Sequence, residues 1–151
     1  MVKSSEEQIQ ISALERPYSF LSPYKEQFAA MIWVIDEAVS VEEQAALSTQ
    51  LVAQGCRYAV CAGHNCSTWD DSIDMAFLET DPNLDPPNDR FIMTTWHEGE
   101  SVEEVAEFFV LNTSFDNFVA KNFLVVFIGR DKELEKQVAK AVKNLLSVRA
   151  A

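Results

Sequence analysis

The chain has 151 residues, 48% of them apolar, and a formal net charge of −12, which predicts one acidic globular domain around a single core. No apolar run is long enough to span a bilayer, and the opening MVKSSEEQIQIS lacks the apolar centre of a secretory signal, so a cytoplasmic location is expected. Three cysteines, an odd number, fit a reducing compartment and no disulfide framework. The charge is unevenly spread. Residues 58–120 carry thirteen of the 24 acids but only one of the 12 bases, Arg90, so the remaining residues hold eleven of each and the net charge sits mid-chain. Such a field repels nucleic acid and anionic membrane and attracts cations or basic protein surfaces.

Residues 1–27 show no sustained period, and Pro17 and Pro23 oppose a helix there. Tyr18, Phe20, Leu21 and Tyr24 point to an arm docked by its aromatics onto a single domain formed by residues 28–151. From Phe28 a unit of apolar strand, polar break and capped helix recurs four times. The first strand is Phe28–Ile35, FAAMIWVI, continuous enough to be buried on both faces. Ser40-Val-Glu-Glu43 is a capping box, and its helix ends near Gly55. The second strand is Tyr58–Ala62. Ser67-Thr-Trp-Asp70 begins the second helix, in which Trp69, Ile73, Ala76 and Phe77 make one buried stripe. Thr80–Arg90, TDPNLDPPNDR, is a long turn-rich connection. The third strand, Phe91–Trp96, contains Thr94 and Thr95 and is expected at a sheet edge. Ser101-Val-Glu-Glu104 caps a helix lined by Val102, Val105, Ala106 and Phe109. Phe123–Ile128 is the fourth strand. Asp131 then caps a last helix with the stripe Leu134, Val138, Ala141, Val142 and Leu145.

This alternation predicts an α/β three-layer sandwich, Rossmann-like or flavodoxin-like, with a four-stranded, mostly parallel sheet in the order 3-2-1-4 or, alternatively, 2-1-3-4. In such sheets ligands bind beyond the carboxyl ends of the strands. In the first order, His64, Cys66, Asp70, Asp71, His97 and Glu98 converge there.

No G-x-G-x-x-G, G-x-x-x-x-G-K-[ST] or G-x-S-x-G pattern occurs, and with four glycines no phosphate-cradling loop forms, so no cofactor is implied. The candidate catalytic residues are His64, Cys66, Asp70, Asp71 and His97. A thiol at a helix N-terminus is acidified, and a histidine could serve it as base, although Asp70 and Asp71 oppose the thiolate. Zinc could draw on Cys61, His64, Cys66 and His97, but C-x-x-H-x-C is no established zinc spacing. His64, Asp71, His97 and Glu98 could hold another divalent ion. The plainer reading makes Asp70 and Asp71 acids that satisfy the first turn of their helix, Trp69 and Trp96 core or pocket wall, and Arg90 the ion-pair partner of Asp89 or a nearby acid.

The stretches CSTWDDSID at 66–74 and NDRFIMTTWHE at 88–98 resemble those of an uncharacterised family of small bacterial proteins, a domain of unknown function, most clearly over residues 55–110. The resemblance implies that Cys66, Trp69, Asp70, Asp71, Asp74, Arg90, Thr95, Trp96 and His97 belong to the family pattern. It implies no activity, cofactor or partner. The functional expectation is therefore an acidic module, immunity-type or accessory, that binds a basic protein surface through Asp70, Asp71, Arg90, Trp96, Glu98, Glu103 and Glu104. The alternative is a small hydrolase or transferase using the His/Cys/Asp edge.

Overall fold

The computed structural model describes residues 8–150. Ten elements follow in chain order. They are β1 (Gln8–Leu14), β2 (Phe28–Val34), α1 (Val41–Ala53), β3 (Cys56–Gly63), α2 (Cys66–Leu78), a 3-10 turn (Asn88–Arg90), β4 (Met93–Trp96), α3 (Val102–Leu111), β5 (Asn122–Ile128) and α4 (Lys132–Ala150). The sheet has five strands in the order β1-β5-β2-β3-β4, and every neighbouring pair is parallel.

The expected strand count is corrected to five, and the expected order gains an edge strand: the four anticipated strands keep the arrangement 3-2-1-4, and the unanticipated one lies beyond the fourth. Residues 8–14, placed by the sequence within an irregular arm, form an edge strand paired to β5 from Gln8↔Asn122 to Leu14↔Ile128. Consequently β5 is interior rather than an edge. The sequence QIQISAL is hard to recognise because an edge strand is only partly buried and needs few apolar residues. Here Ile9 packs on one helix layer and Leu14 on the other. The first seven residues of the expected arm lie outside the described residues.

Helices cover both faces, as parallel crossovers require. On one side α1 and α2 bury Leu47, Leu51, Trp69, Ile73 and Phe77 against Ala30, Ile32, Cys61, Leu124 and Val126. On the other, α3 and α4 bury Val105, Phe109, Val138 and Val142 against Met31, Val60, Phe123, Val125 and Phe127. β2 is buried along its whole length, which explains its unbroken apolar run.

The helix starts show how local sequence selects the elements. Ser40 accepts from the Glu43 N–H while Glu43 accepts from the Ser40 N–H, at 3.1 and 2.9 Å. Ser101 and Glu104 repeat this at the start of α3. The Asp131 carboxylate accepts from the Leu134 N–H at 3.1 Å at the start of α4. Each arrangement satisfies amides that the helix itself leaves free.

Residues 15–27 run over the α1 side of the sheet. Gln50 and Gln54 accept from the N–H groups of Phe20 and Ser22 at 2.7 and 2.6 Å. The Tyr24 hydroxyl donates to the Phe123 carbonyl at 2.9 Å, and burial lifts its pKa to about 12. At the carboxyl end, the Tyr18 hydroxyl and Arg16 both reach Asp36, at 2.6 and 3.1 Å. Among the described residues no helix is long and apolar enough to cross a membrane.

Candidate functional site

Because β4 pairs only with β3, its outer side is an open edge. Side chains along a strand alternate between faces. Thr94 and Trp96 therefore point to the α2 side, and Thr95 and His97 to the α3 side. The hydrogen bonds agree with this. Thr94 donates to Asp74 of α2 at 2.7 Å. His97 instead stacks on Phe108 of α3, with ring centroids 4.6 Å apart.

The α3 side carries a continuous polar row. The Tyr58 hydroxyl lies beside Thr95, whose polar contact partly offsets the upward push of burial on the Tyr58 pKa. The Thr95 hydroxyl meets His97 Nε2 at 2.9 Å, and His97 Nδ1 meets Glu100 at 3.1 Å. Tyr58 and His97 are both buried, so this row satisfies polar groups that burial would otherwise penalise. It also ties β3 and β4 to the turn before α3.

The expected convergence of catalytic residues is corrected. His64 is exposed and bonds the neighbouring Asn65 at 3.2 Å. It lines a cavity of about 200 Å³ with Asp36, Ser40, Gln44 and Thr68, on the α1/α2 side. His97 belongs to the opposite layer. Cys66 is fully buried, and burial pushes its thiol pKa up, the reverse of what an activated nucleophile needs. Cys61 lies in the sheet core. Among the described residues no three His, Cys, Asp or Glu side chains gather as a metal group. The sets Cys61/His64/Cys66/His97 and His64/Asp71/His97/Glu98 are therefore not assembled. Strand alternation sends His97 to the α3 layer, while Cys61 and Cys66 are shut inside the α1/α2 layer and His64 faces solvent beyond it.

Two further readings change. α2 begins at Cys66, behind Asn65 in a left-handed conformation with φ 51°. Asp70 and Asp71 therefore lie in the second turn and cap nothing. Arg90 is exposed and, among the described residues, pairs with no carboxylate. It lines a cavity of about 160 Å³ with Arg57, Gln27 and Thr80 at the amino end of the sheet. Glu103 and Glu104 occupy the first turn of α3, where Glu104 serves the cap and is held below the usual carboxylate range by the Ser101 N–H.

Arg57 was missed by reading charge in blocks. It is buried, donates to the Phe91 carbonyl at 2.8 Å and to Gln27 at 3.1 Å, and stands 5.4 Å from the ring centres of both Phe115 and Phe118. Its position beside the acidic block, just before an apolar strand, was the only signal.

α2 turns one flank to α1 and the other to β4. The Ser48–Ser72 and Gln44–Thr68 bonds, at 2.8 and 3.0 Å, mark the first flank. The Asp74–Thr94 bond marks the second. At 100° per residue, Asp70, Asp71 and Asp74 lie on or next to the β4 flank, and Met75 turns toward the α1 flank. Asp71, Asp74 and Met75 are exposed, whereas Asp70 is only 6% exposed. Trp96 is 53% exposed, and Phe91 and Met93 are also open to solvent. Trp96, the carboxylates and an unpaired strand edge therefore share one surface, whereas Met93 alternates to the α3 side.

No curated protein and no solved structure matches the chain. A family model matches residues 9–145, from the first strand to the last helix, and the chain belongs to that family, described as Domain of unknown function (DUF7684).

Proposed function

We propose that this protein is an acidic protein-binding module whose contact surface is the open edge of β4 together with the adjoining flank of α2. The observation that carries this reading is the exposed Trp96 on an unpaired edge strand, beside Asp71, Asp74 and Glu98. An open strand edge offers unpaired backbone donors and acceptors to an incoming segment. A large aromatic ring that burial on docking would desolvate is a characteristic anchor. The surrounding carboxylates select a basic partner and speed its approach. The other candidate binding residues divide. Glu103 and Glu104 serve the start of α3, and Arg90 belongs to the amino end of the sheet.

The hydrolase or transferase reading loses its convergent edge. The row Thr95–His97–Glu100 has the order of nucleophile, base and orienting acid, but Thr95 also lies beside Tyr58, and His97 is packed against Phe108. This row braces the strand.

The test is capture of partners by the purified protein at low and high salt, followed by titration of the captured protein against variants. The expected partner is basic, binds more weakly as salt rises, and is lost with Trp96→Ala but retained with Val148→Ser on α4, an apolar side chain that is also exposed. Acidic partners only, salt-insensitive binding, or full binding by Trp96→Ala would each refute the reading.

A further inference from the structure

Asp70 is an anomaly. The other buried polar side chains all have partners. Ser48 bonds Ser72, Arg57 bonds Phe91 and Gln27, His97 bonds Thr95 and Glu100, and Thr113 bonds the Phe109 carbonyl. Asp70 has none among the described residues, and its Oδ1 is shut off from solvent without a hydrogen bond. A buried carboxylate with no donor is costly and is normally relieved by a cation or a ligand donor.

The register places two more groups at the same point. α2 runs antiparallel to β4, because strand and helix alternate along the chain. Asp74 meets Thr94. Two residues further along β4, about 6.6 Å, stands Trp96. One turn back along α2, about 6 Å, stands Asp70. Trp96 and Asp70 are therefore level across the seam between α2 and β4. Asp74 and Trp96 are exposed and Asp70 is buried, so along this seam one carboxylate lies beneath another carboxylate and an indole that face solvent. Although Asp74 as a residue is exposed, partial desolvation of its carboxyl group pushes its pKa up, opposed by the Thr94 hydroxyl and reinforced by the charges of Asp70 and Asp71. A positive charge placed there reverses that penalty.

We propose that Asp70, Asp74 and Trp96 form the receptor for a single basic side chain of the partner, its ammonium or guanidinium group lying between the carboxylates and against the indole face. This rests on the docking surface proposed above and specifies what that surface reads. The donor set favours an organic cation over a metal ion. Two carboxylates are too few for a protein cage, and no third metal-binding side chain joins them among the described residues. An aromatic face, by contrast, attracts a flat or alkylated cation.

The experiment needs no partner. N-acetyl-arginine amide and N-acetyl-lysine amide are titrated into the protein while the Trp96 indole N–H resonance is followed by NMR. N-acetyl-citrulline amide and N-acetyl-norleucine amide serve as uncharged controls, and magnesium and zinc chloride as metal probes. The expected result is a saturable Trp96 shift with at least one basic amide and none with the uncharged ones. Asp70→Asn, nearly identical in shape, should weaken that binding about tenfold, and Asp74→Asn should weaken it as well. Both variants should retain the wild-type fold by circular dichroism.

No saturable shift, an equal response to citrulline amide, or unchanged affinity in folded Asp70→Asn would overturn the proposal. So would tighter saturation by a divalent metal than by either amide. The two readings fail separately. A partner that still needs Trp96 but ignores Asp70→Asn leaves the docking surface standing and removes the receptor. A seam that binds arginine amide in a protein whose partner ignores Trp96→Ala does the opposite.

Discussion

Gly63 and Gly99 offer a test of how tightly the carboxyl edge is built. Gly63 ends β3 and Gly99 follows β4, and both hold positive φ, +90° and +73°. Alanine at either position carries the same kind of backbone strain, about 1–2 kcal/mol. It also stiffens the unfolded chain, which returns about 0.4–1 kcal/mol. Gly99→Ala should therefore cost about 1 kcal/mol, because no atom lies within 4 Å of the added Cβ. At Gly63 the Cβ would stand 2.3 Å from the Val34 carbonyl oxygen and 2.8 Å from the Val34 nitrogen. Those atoms are backbone of the buried strand β2 and cannot rotate away. The same carbonyl accepts the His64 N–H at 2.9 Å. Relieving the clash spreads β2 from β3 and weakens that bond, adding about 1–3 kcal/mol. The expected total is about 2–4 kcal/mol, against a typical domain stability of about 5–15 kcal/mol. Urea unfolding followed by far-ultraviolet circular dichroism measures both variants, with equal slopes showing that the unfolded states are alike. If the two alanines cost the same, the close approach of β2 and β3 at Gly63 is wrong, and so is the path of the His64 loop.

Trp69→Ala removes a ring that is 1% exposed in the α1/α2 layer and should cost about 3–5 kcal/mol. In a chain of this size that lowers the melting temperature by roughly 2–4 °C per kcal/mol, and an unchanged melt would place Trp69 outside the core. Ser40→Ala and Ser101→Ala should each cost about 1 kcal/mol through loss of a capping box, measured by the same unfolding curves. A null result at either site would dissociate the box from helix stability. Asp74 and Asp36 should respond to pH in opposite directions. The folded pKa of Asp74 is raised, chiefly by partial desolvation of its carboxyl group, so its ionisation costs stability above the ordinary value of 3.8 and the cost vanishes below it. Asp74→Asn, which still accepts from Thr94, should therefore stabilise at neutral pH and become indistinguishable from wild type in acid. The folded pKa of Asp36 is lowered, chiefly by the Tyr18 hydroxyl, so its contribution is present above 3.8 and is lost as pH falls through the folded value. Asp36→Asn should destabilise at neutral pH and converge with wild type in acid. Melts from pH 3 to 7, on the scale of ordinary carboxylate titration, decide both, and parallel curves would contradict both pKa directions.

Much of the α/β layering follows from short-range chemistry and is legible in the amino-acid order. FAAMIWVI and FLVVFI are apolar without interruption because their strands are covered on both faces, and the two Ser-x-Glu-Glu boxes mark helix starts because the groups they pair are three residues apart. The Trp69, Ile73, Ala76 and Phe77 stripe is equally local, since one turn of helix sets its spacing. β1 escaped because an edge strand owes its structure to β5, more than a hundred residues away, and QIQISAL carries little of that pairing itself.

The site divides in the same way. Position near the strand ends placed His64, Cys66, Asp70 and His97 in one neighbourhood, and that much is a property of parallel sheets. Whether they meet depends on which layer each side chain enters. Alternation along β4, anchored by the Asp74–Thr94 bond, turns Trp96 toward α2 and His97 toward α3, and the depth of β3 and α2 removes Cys61 and Cys66 from solvent. The unpartnered state of Asp70 lies furthest from anything the sequence carries. It is set by the absence of a donor across the seam between two elements, and that seam exists only once the helix has packed on the sheet.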